Sequence, residues 1–329
     1  MVRLTSLLIG ILLASLACGS PGAFGQDGAA DYPSRAVHIV VGFPPGGGAD
    51  GSARVVAEKL SQRWGKPVIV ENKAGAQGNL AMASVAKSAP DGYTLALVPL
   101  GNAAVNPSLF KKLPYSMSEF APISQIAVIE NVLVVNASSP AKTLKELIAL
   151  GKADGADFTY SSPGAGSQAH LAGELLARAT GLKMRHIPYR GLSPALTDVL
   201  SGVITMTFAQ LSTAKALIEQ GQLRALGVAS KQRSPALPDL PTVAEAGDIP
   251  GFEAVSWYAL MAPAQTPPTI IRKLSSEVAE IVRMPEVIAA LEALGATPVG
   301  NTPEELAKII ENDTARWARV IKEAGITPQ

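Results

Sequence analysis

Two hydrophobic rhythms alternate along this chain. Short, near-continuous apolar runs with β-branched residues, such as residues 37–42 and 131–136, predict strands covered on both faces. Between them lie stretches with apolar residues at helical spacing. In the first, Ala53, Val56, Ala57, Leu60 and Trp64 share one face. From residue 37 to 98 the order reads strand (37–42), helix (51–64), strand (68–70), helix (80–87), strand (94–98). That order predicts a parallel sheet with right-handed crossovers. Residues 102–122 carry Pro107, Pro114 and Pro122 and read as irregular.

A second set with the same plan begins at the strand 131–136. Thr143 is an N-cap for a helix over 144–152, with Glu146 three residues later as in a capping box. Then follow a strand (158–161), a helix (168–180), a strand (185–189) and a helix to Leu200 opened by Ser193-Pro194, with the proline expected at its first position. A strand (203–208), a helix (212–219) and a strand (223–229) complete the set. Residues 234–251, broken by four prolines, predict a connection. The chain closes with a strand (255–261) and helices over 267–282, 285–294 and 303–324.

Both sets contain a glycine-rich turn from strand to helix. The first is Phe43-Pro44-Pro45-Gly46-Gly47-Gly48-Ala49-Asp50, and the second is Ser161-Ser162-Pro163-Gly164-Ala165-Gly166-Ser167-Gln168-Ala169-His170. Each supplies free backbone N–H groups at a helix N-terminus, which suits an anion. Three consecutive glycines cost chain entropy, about 0.5–1 kcal/mol each, so they point to close approach of a ligand to the backbone. No Gly-Lys-Ser/Thr follows, so the first loop is not a phosphate-binding P-loop. The run from Gly164 to Ala169 fits a dinucleotide fingerprint, which requires an acid at the end of the next strand. That strand ends Ile187-Pro188-Tyr189-Arg190, without one. No cofactor is expected.

The two loops are expected to face each other across a cleft and hold a small carboxylate. Neither contains Lys or Arg, so N–H groups, Ser161, Ser162, Ser167 and water have to hold the anion. Four or five charge-assisted hydrogen bonds of roughly 1.5–3 kcal/mol, less the cost of association, reach the roughly −8 kcal/mol of micromolar binding. Asp50 either caps its helix or meets a hydroxyl or ammonium of the ligand. Gln77, Gly78 and Asn79 are expected along the cleft. Phe43 and Tyr189 serve either core or ligand, and Arg190 reads as a solvated charge.

The amino-terminal segment changes the setting. Arg3 precedes an apolar run over residues 4–17, and Ala23-Phe24-Gly25 fits a cleavage site ahead of Gln26, so residues 1–25 read as a secretory signal. Cys18, the single cysteine, offers lipid anchoring as a weaker alternative; the mature chain then has no thiol and no disulfide. Without Arg3 the 28 basic and 27 acidic residues become 27 and 27. A neutral chain without a basic run argues against nucleic acid as a partner. His38, His170 and His186 show no metal spacing. No Gly-x-Ser-x-Gly elbow or clustered carboxylate suggests catalysis.

Taken together, these segments resemble one family. Tyr32-Pro33-Ser34-Arg35, the first glycine loop, the run from Glu71 to Asn79, Asn106-Pro107-Ser108-Leu109, His170-Leu171-Ala172-Gly173-Glu174, Pro188-Tyr189-Arg190-Gly191 and the run from Ser234 to Gly247 look like Bug-type solute receptors of tripartite tricarboxylate transporters. The resemblance covers the mature chain in order. It implies an α/β, two-lobed periplasmic-binding-protein fold, type II-like, closing on its ligand. It divides the chain into residues 32–130 plus 255–329, and 131–254. It also implies a periplasmic monomer, a small organic acid as ligand and membrane transporter subunits as partners. The ligand-binding set is then Phe43, Pro45, Gly46, Gly47, Gly48, Ala49, Asp50, Gly78, Asn79, Ser161, Ser162, Gly164, Gly166, Ser167, Tyr189 and Gln210, with no catalytic or metal-binding residue. One departure is Ala209-Gln210, where many relatives carry an acid; Gln210 and Ser212 become neutral partners there. A ligand sensor for a signalling protein and an exported α/β enzyme are the alternatives.

Overall fold

The computed structural model describes residues 31–328 apart from 154, 156 and 190. The expected secretory signal, Cys18 and Arg190 lie outside the described residues.

The chain first forms β1 (Val37–Val41), α1 (Gly48–Trp64), β2 (Val68–Asn72), α2 (Asn79–Ala86), β3 (Thr94–Pro99), α3 (Asn106–Leu109) and β4 (Phe120–Ile129). It continues through β5 (Asn131–Asn136), α4 (Leu144–Gly151), β6 (Thr159–Ser162), α5 (Gln168–Thr180), β7 (Arg185–Pro188), α6 (Leu192–Leu200), β8 (Met206–Gln210), α7 (Leu211–Glu219), β9 (Leu223–Val228) and α8 (Val243–Gly247). It ends with β10 (Ser256–Pro263), α9 (Pro268–Ile281), α10 (Pro285–Ala293), β11 (Ala296–Pro298) and α11 (Pro303–Glu323).

The strands form two sheets. The first has the order β11-β4-β10-β3-β1-β2, the second β7-β6-β8-β5-β9. β1 pairs in parallel with both β2 and β3, as the strand–helix alternation predicts. β10 runs antiparallel between β3 and β4, so the first sheet is mixed. Its continuous hydrophobic runs follow from cover on both faces. Val37, Ile39 and Val41 point with Leu95 and Leu97 toward α1, α9 and α10, while Val40, Ala96 and Val98 point with Trp257 toward α2 and α11. In the second sheet Leu133 and Val135 join a core with α4 and α5, and Val132 and Val134 one with α6 and α7.

Residues 102–122 are more ordered than their prolines suggest. A π-helical turn over Gly101–Val105 runs into α3, and β4 opens at Phe120. Pro122 is tolerated inside β4 because the register with β10 slips beside it, where no ladder donor is required. The capping box of Thr143 and Glu146 forms as expected. β8 begins at Met206, later than the apolar pattern indicates, since Val203 is 70% exposed. In α6 the proline occupies the third helical position, because the helix already begins at Leu192.

The chain passes between the sheets twice, at Glu130/Asn131 and at Ala254/Val255. These crossings lie side by side: Asn131 Nδ2 donates to the Ala254 carbonyl at 2.9 Å, and both residues are buried.

Candidate functional site

The first glycine-rich loop leaves the carboxyl end of β1 and enters α1. Gly47 is the N-cap, with extended backbone and no side-chain cap. The N–H groups of Gly48, Ala49 and Asp50, in the first turn, therefore have no partner within the helix. Gly46 adopts φ +85°, which only glycine holds without strain. Pro45, Gly46, Gly47 and Gly48 are exposed.

Asp50 braces this loop from behind. Its Oδ2 accepts from the Gly46 N–H and from Arg54 Nε, both at 2.9 Å, and its Oδ1 accepts from Asn72 Nδ2 at 2.9 Å. Asn72 Nδ2 also reaches the Phe43 carbonyl at 3.0 Å. Hydrogen bonds from Arg54, Gly46 and Asn72 hold the Asp50 carboxyl down at about 2. At 3% exposed, with both oxygens engaged, Asp50 faces the scaffold.

The second loop leaves the carboxyl end of β6 and enters α5. Ser167 caps that helix by accepting from the His170 N–H, leaving the N–H groups of Gln168 and Ala169 free of helical partners. The Gly166 N–H donates to His170 Nδ1 at 2.9 Å, and Ser162 Oγ lies 2.6 Å from His186 Nε2. The two imidazoles stack with centroids 3.8 Å apart, and Tyr160 stacks on His186 at 5.0 Å. Burial lowers both histidines to about 4, with the neighbouring His170 adding to the effect on His186. Tyr160 donates to Glu174 Oε1 at 2.5 Å, and burial raises its pKa.

The two loops meet across a cleft of about 490 Å³. Of the residues anticipated for ligand contact, Phe43, Ala49, Gly164, Gly166 and Ser167 line it, with Gln77 at its edge. Gln210 lines an adjoining cavity of about 280 Å³ that shares Pro163, Ser167, Gln168 and Ser256 with the first. Gly78 and Asn79 sit just behind the wall. A Cβ on Gly42 would lie 2.6 Å from Gly78 Cα, so both positions need glycine for the loops to approach this closely. Ser161 is fully buried and donates to the Ala195 carbonyl at 3.0 Å. The Tyr189 hydroxyl is bonded to Asp198, which raises it to about 12. These two, with Ser162, brace the loop from behind.

The Ser162–His186 pair superficially suggests a nucleophile and its base. Ser162 is fully buried, however, and its hydroxyl also donates to the Gly164 carbonyl at 2.9 Å. Among the described residues no carboxylate bonds to His186, and no group of three His, Cys, Asp or Glu is arranged to hold a metal.

Tyr258, Asn102 and Asn106 are lining residues that sequence reasoning did not assign to the ligand. The Tyr258 hydroxyl lies 3.3 Å from where a Gly48 Cβ would stand, hence beside the free N–H groups of α1. Burial raises it to about 12, so it stays a neutral donor. Its one sequence signal is the strand alternation that places Ser256 and Tyr258 on the same face of β10. No ionised side chain lines the cleft among the described residues.

Comparison with known proteins agrees with this architecture. Residues 52–326 match the model of the tripartite tricarboxylate transporter family receptor. The chain belongs to that family. It is 39% identical over 330 residues to protein BugT of Bordetella pertussis, covering 99% of this chain and 98% of BugT. Among solved structures it is similar to Rpa4515 of R. palustris with adipate, at 36% identity and TM-score 0.77, covering 91% of this chain and 100% of that one. It is also similar to MatC of Rhodopseudomonas palustris with bound malate, at 32% identity and TM-score 0.71, covering 88% and 100%. This receptor thus shares the two-lobed α/β fold of periplasmic solute-binding proteins.

Proposed function

We propose that this receptor is exported, captures a small organic carboxylate between two lobes in the periplasm and delivers it to the membrane subunits of a tripartite transporter. The lobes are residues 32–130 with 255–329, and residues 131–254, hinged at the paired crossings beside Asn131 and Ala254. The observation that carries the reading is the convergence of two helix entries, α1 and α5, each with first-turn N–H groups free of helical partners, on one cleft without an ionised side chain. The carboxylate takes hydrogen bonds from the N–H groups of Gly48, Ala49, Gln168 and Ala169 and from the Tyr258 hydroxyl. Helix dipoles and bridging water meet its charge. The similar structures solved with adipate and with bound malate support this class of ligand.

The test is mass spectrometry of ligand released from protein purified out of its native compartment, followed by thermal-shift titration with the acids found. A bound ligand raises stability by RT ln(1 + [L]/Kd). Stabilisation by a carboxylate without chemical change supports the reading; chemical conversion of the ligand, or no response to any acid, would sink it.

A further inference from the structure

The carboxylate reading leaves one wall of the cleft unassigned. Asn102 and Asn106 line it and are 2% and 4% exposed. Their amide orientations follow from one fixed point. The Gln77 carbonyl can only accept, so the Asn102 atom 3.0 Å from it is Nδ2. That nitrogen also lies 3.0 Å from the Asn79 side chain, which therefore presents Oδ1. Asn79 Oδ1 in turn requires a donor from Asn106, 2.8 Å away, and this must be Nδ2. Asn102 thus spends both amide hydrogens inside the wall, and Asn106 one of its two. Neither Oδ1 has a hydrogen-bond partner among the described residues, and neither is fully occluded. Gln168 is held likewise, its Nε2 donating to the Val255 carbonyl at 2.9 Å. Gln77 and Gln210 are exposed, and their amides are free to turn either way.

From this network we infer that the wall selects a hydrogen-bond donor, so the ligand is a monocarboxylate bearing a hydroxyl or ammonium group rather than a dicarboxylate. The inference rests on the carboxylate reading above and names its substrate class. A donor group satisfies two acceptors that a bound ligand without one would strip of water and leave unpaired. A second carboxylate at this wall would meet two amide oxygens against a single free amide hydrogen of Asn106, with no cation among the lining residues, after losing its hydration.

The test is calorimetric titration of the mature chain with matched acids of four, five and six carbons. Each set holds the plain acid, the ω-hydroxy acid, the ω-amino acid and the diacid. At one length or more, the better of the hydroxy and amino acids is expected to bind about tenfold tighter than both the plain acid and the diacid. In Asn106→Ala that margin is expected to shrink to about threefold, with thermal unfolding of the ligand-free variant reporting on its fold. A diacid or plain acid that binds as tightly at every length overturns this inference and leaves the carboxylate reading standing. Failure of all the acids to bind overturns both. A margin unchanged in both Asn102→Ala and Asn106→Ala overturns the role given to these oxygens.

Discussion

The imidazole of His170 lies flat on that of His186, with centroids 3.8 Å apart and planes 7° from parallel. Each ring holds one end of the second glycine-rich loop, His170 through the Gly166 N–H and His186 through Ser162. Glu174 Oε1, 3.9 Å from His170 Nε2, is the carboxylate facing the pair. Both rings titrate at about 4 in the folded protein and near 6.5 when unfolded. The unfolded chain therefore binds more protons between these values. Stability should be complete above about pH 6.5 and fall as the pH drops toward 4, by up to about 1.4 kcal/mol per pH unit for each histidine. Urea unfolding at pH 7.0, 5.5 and 4.5 checks this, and His170→Asn, a neutral mimic that keeps an acceptor near Nδ1, should flatten the profile. A wild-type midpoint constant across that range would refute it.

Tyr258→Phe removes one neutral donor beside the free N–H groups of α1 and leaves the apolar packing in place. Affinity for a carboxylate ligand should fall about five- to tenfold, with a thermal midpoint for the free protein close to wild type. Calorimetry reads the first quantity and differential scanning the second. Unchanged affinity would remove the hydroxyl from the site.

Asp50→Asn breaks the charge-assisted bond with Arg54 while retaining an acceptor for the Gly46 N–H. Arg54 is half exposed, so solvent screening limits the loss to about 1–2 kcal/mol. Because the Asp50 carboxyl is lowered to about 2, its contribution is present above roughly pH 4 and disappears as the pH falls toward 2. Urea unfolding at pH 7 measures the difference. A tenfold affinity loss with no loss of stability would instead make Asp50 a ligand partner.

Gly42→Ala places a methyl group 2.6 Å from Gly78 Cα and 3.0 Å from the Gly78 carbonyl oxygen. Both contacts are backbone, so the loop must move as a unit. A destabilisation of about 1–3 kcal/mol is expected, as in other overpacked sites, together with weaker ligand binding. Wild-type stability in chemical denaturation would show that the two loops are not tightly apposed.

Much of this receptor was legible in residue order. The alternation of buried strand runs with helical stripes located β1 to β3 and most of the second sheet, since a strand covered on both faces cannot hide its composition. Glycine-rich turns at the ends of β1 and β6 marked the loops that meet at the cleft, because only glycine permits such backbone positions. Strand order across each sheet was decided by tertiary packing. β10 slots antiparallel between β3 and β4 although over 120 residues separate it from either, and no local pattern encodes that partner.

The roles within the site divide along the same line. Sequence placed Phe43, Ala49, Gly164 and Ser167 at the cleft because neighbours in the chain share a turn. Only the folded structure turned Asp50 inward to Arg54, stacked His170 on His186 and brought Tyr258 beside Gly48. Each of those relations depends on side-chain direction and on contacts between segments distant in the chain or one helical turn apart, which composition leaves open. The sequence alone determined two helix entries without a cation between them. Tertiary structure decided that they share one cleft, and which hydrogen-bonding atoms its walls present.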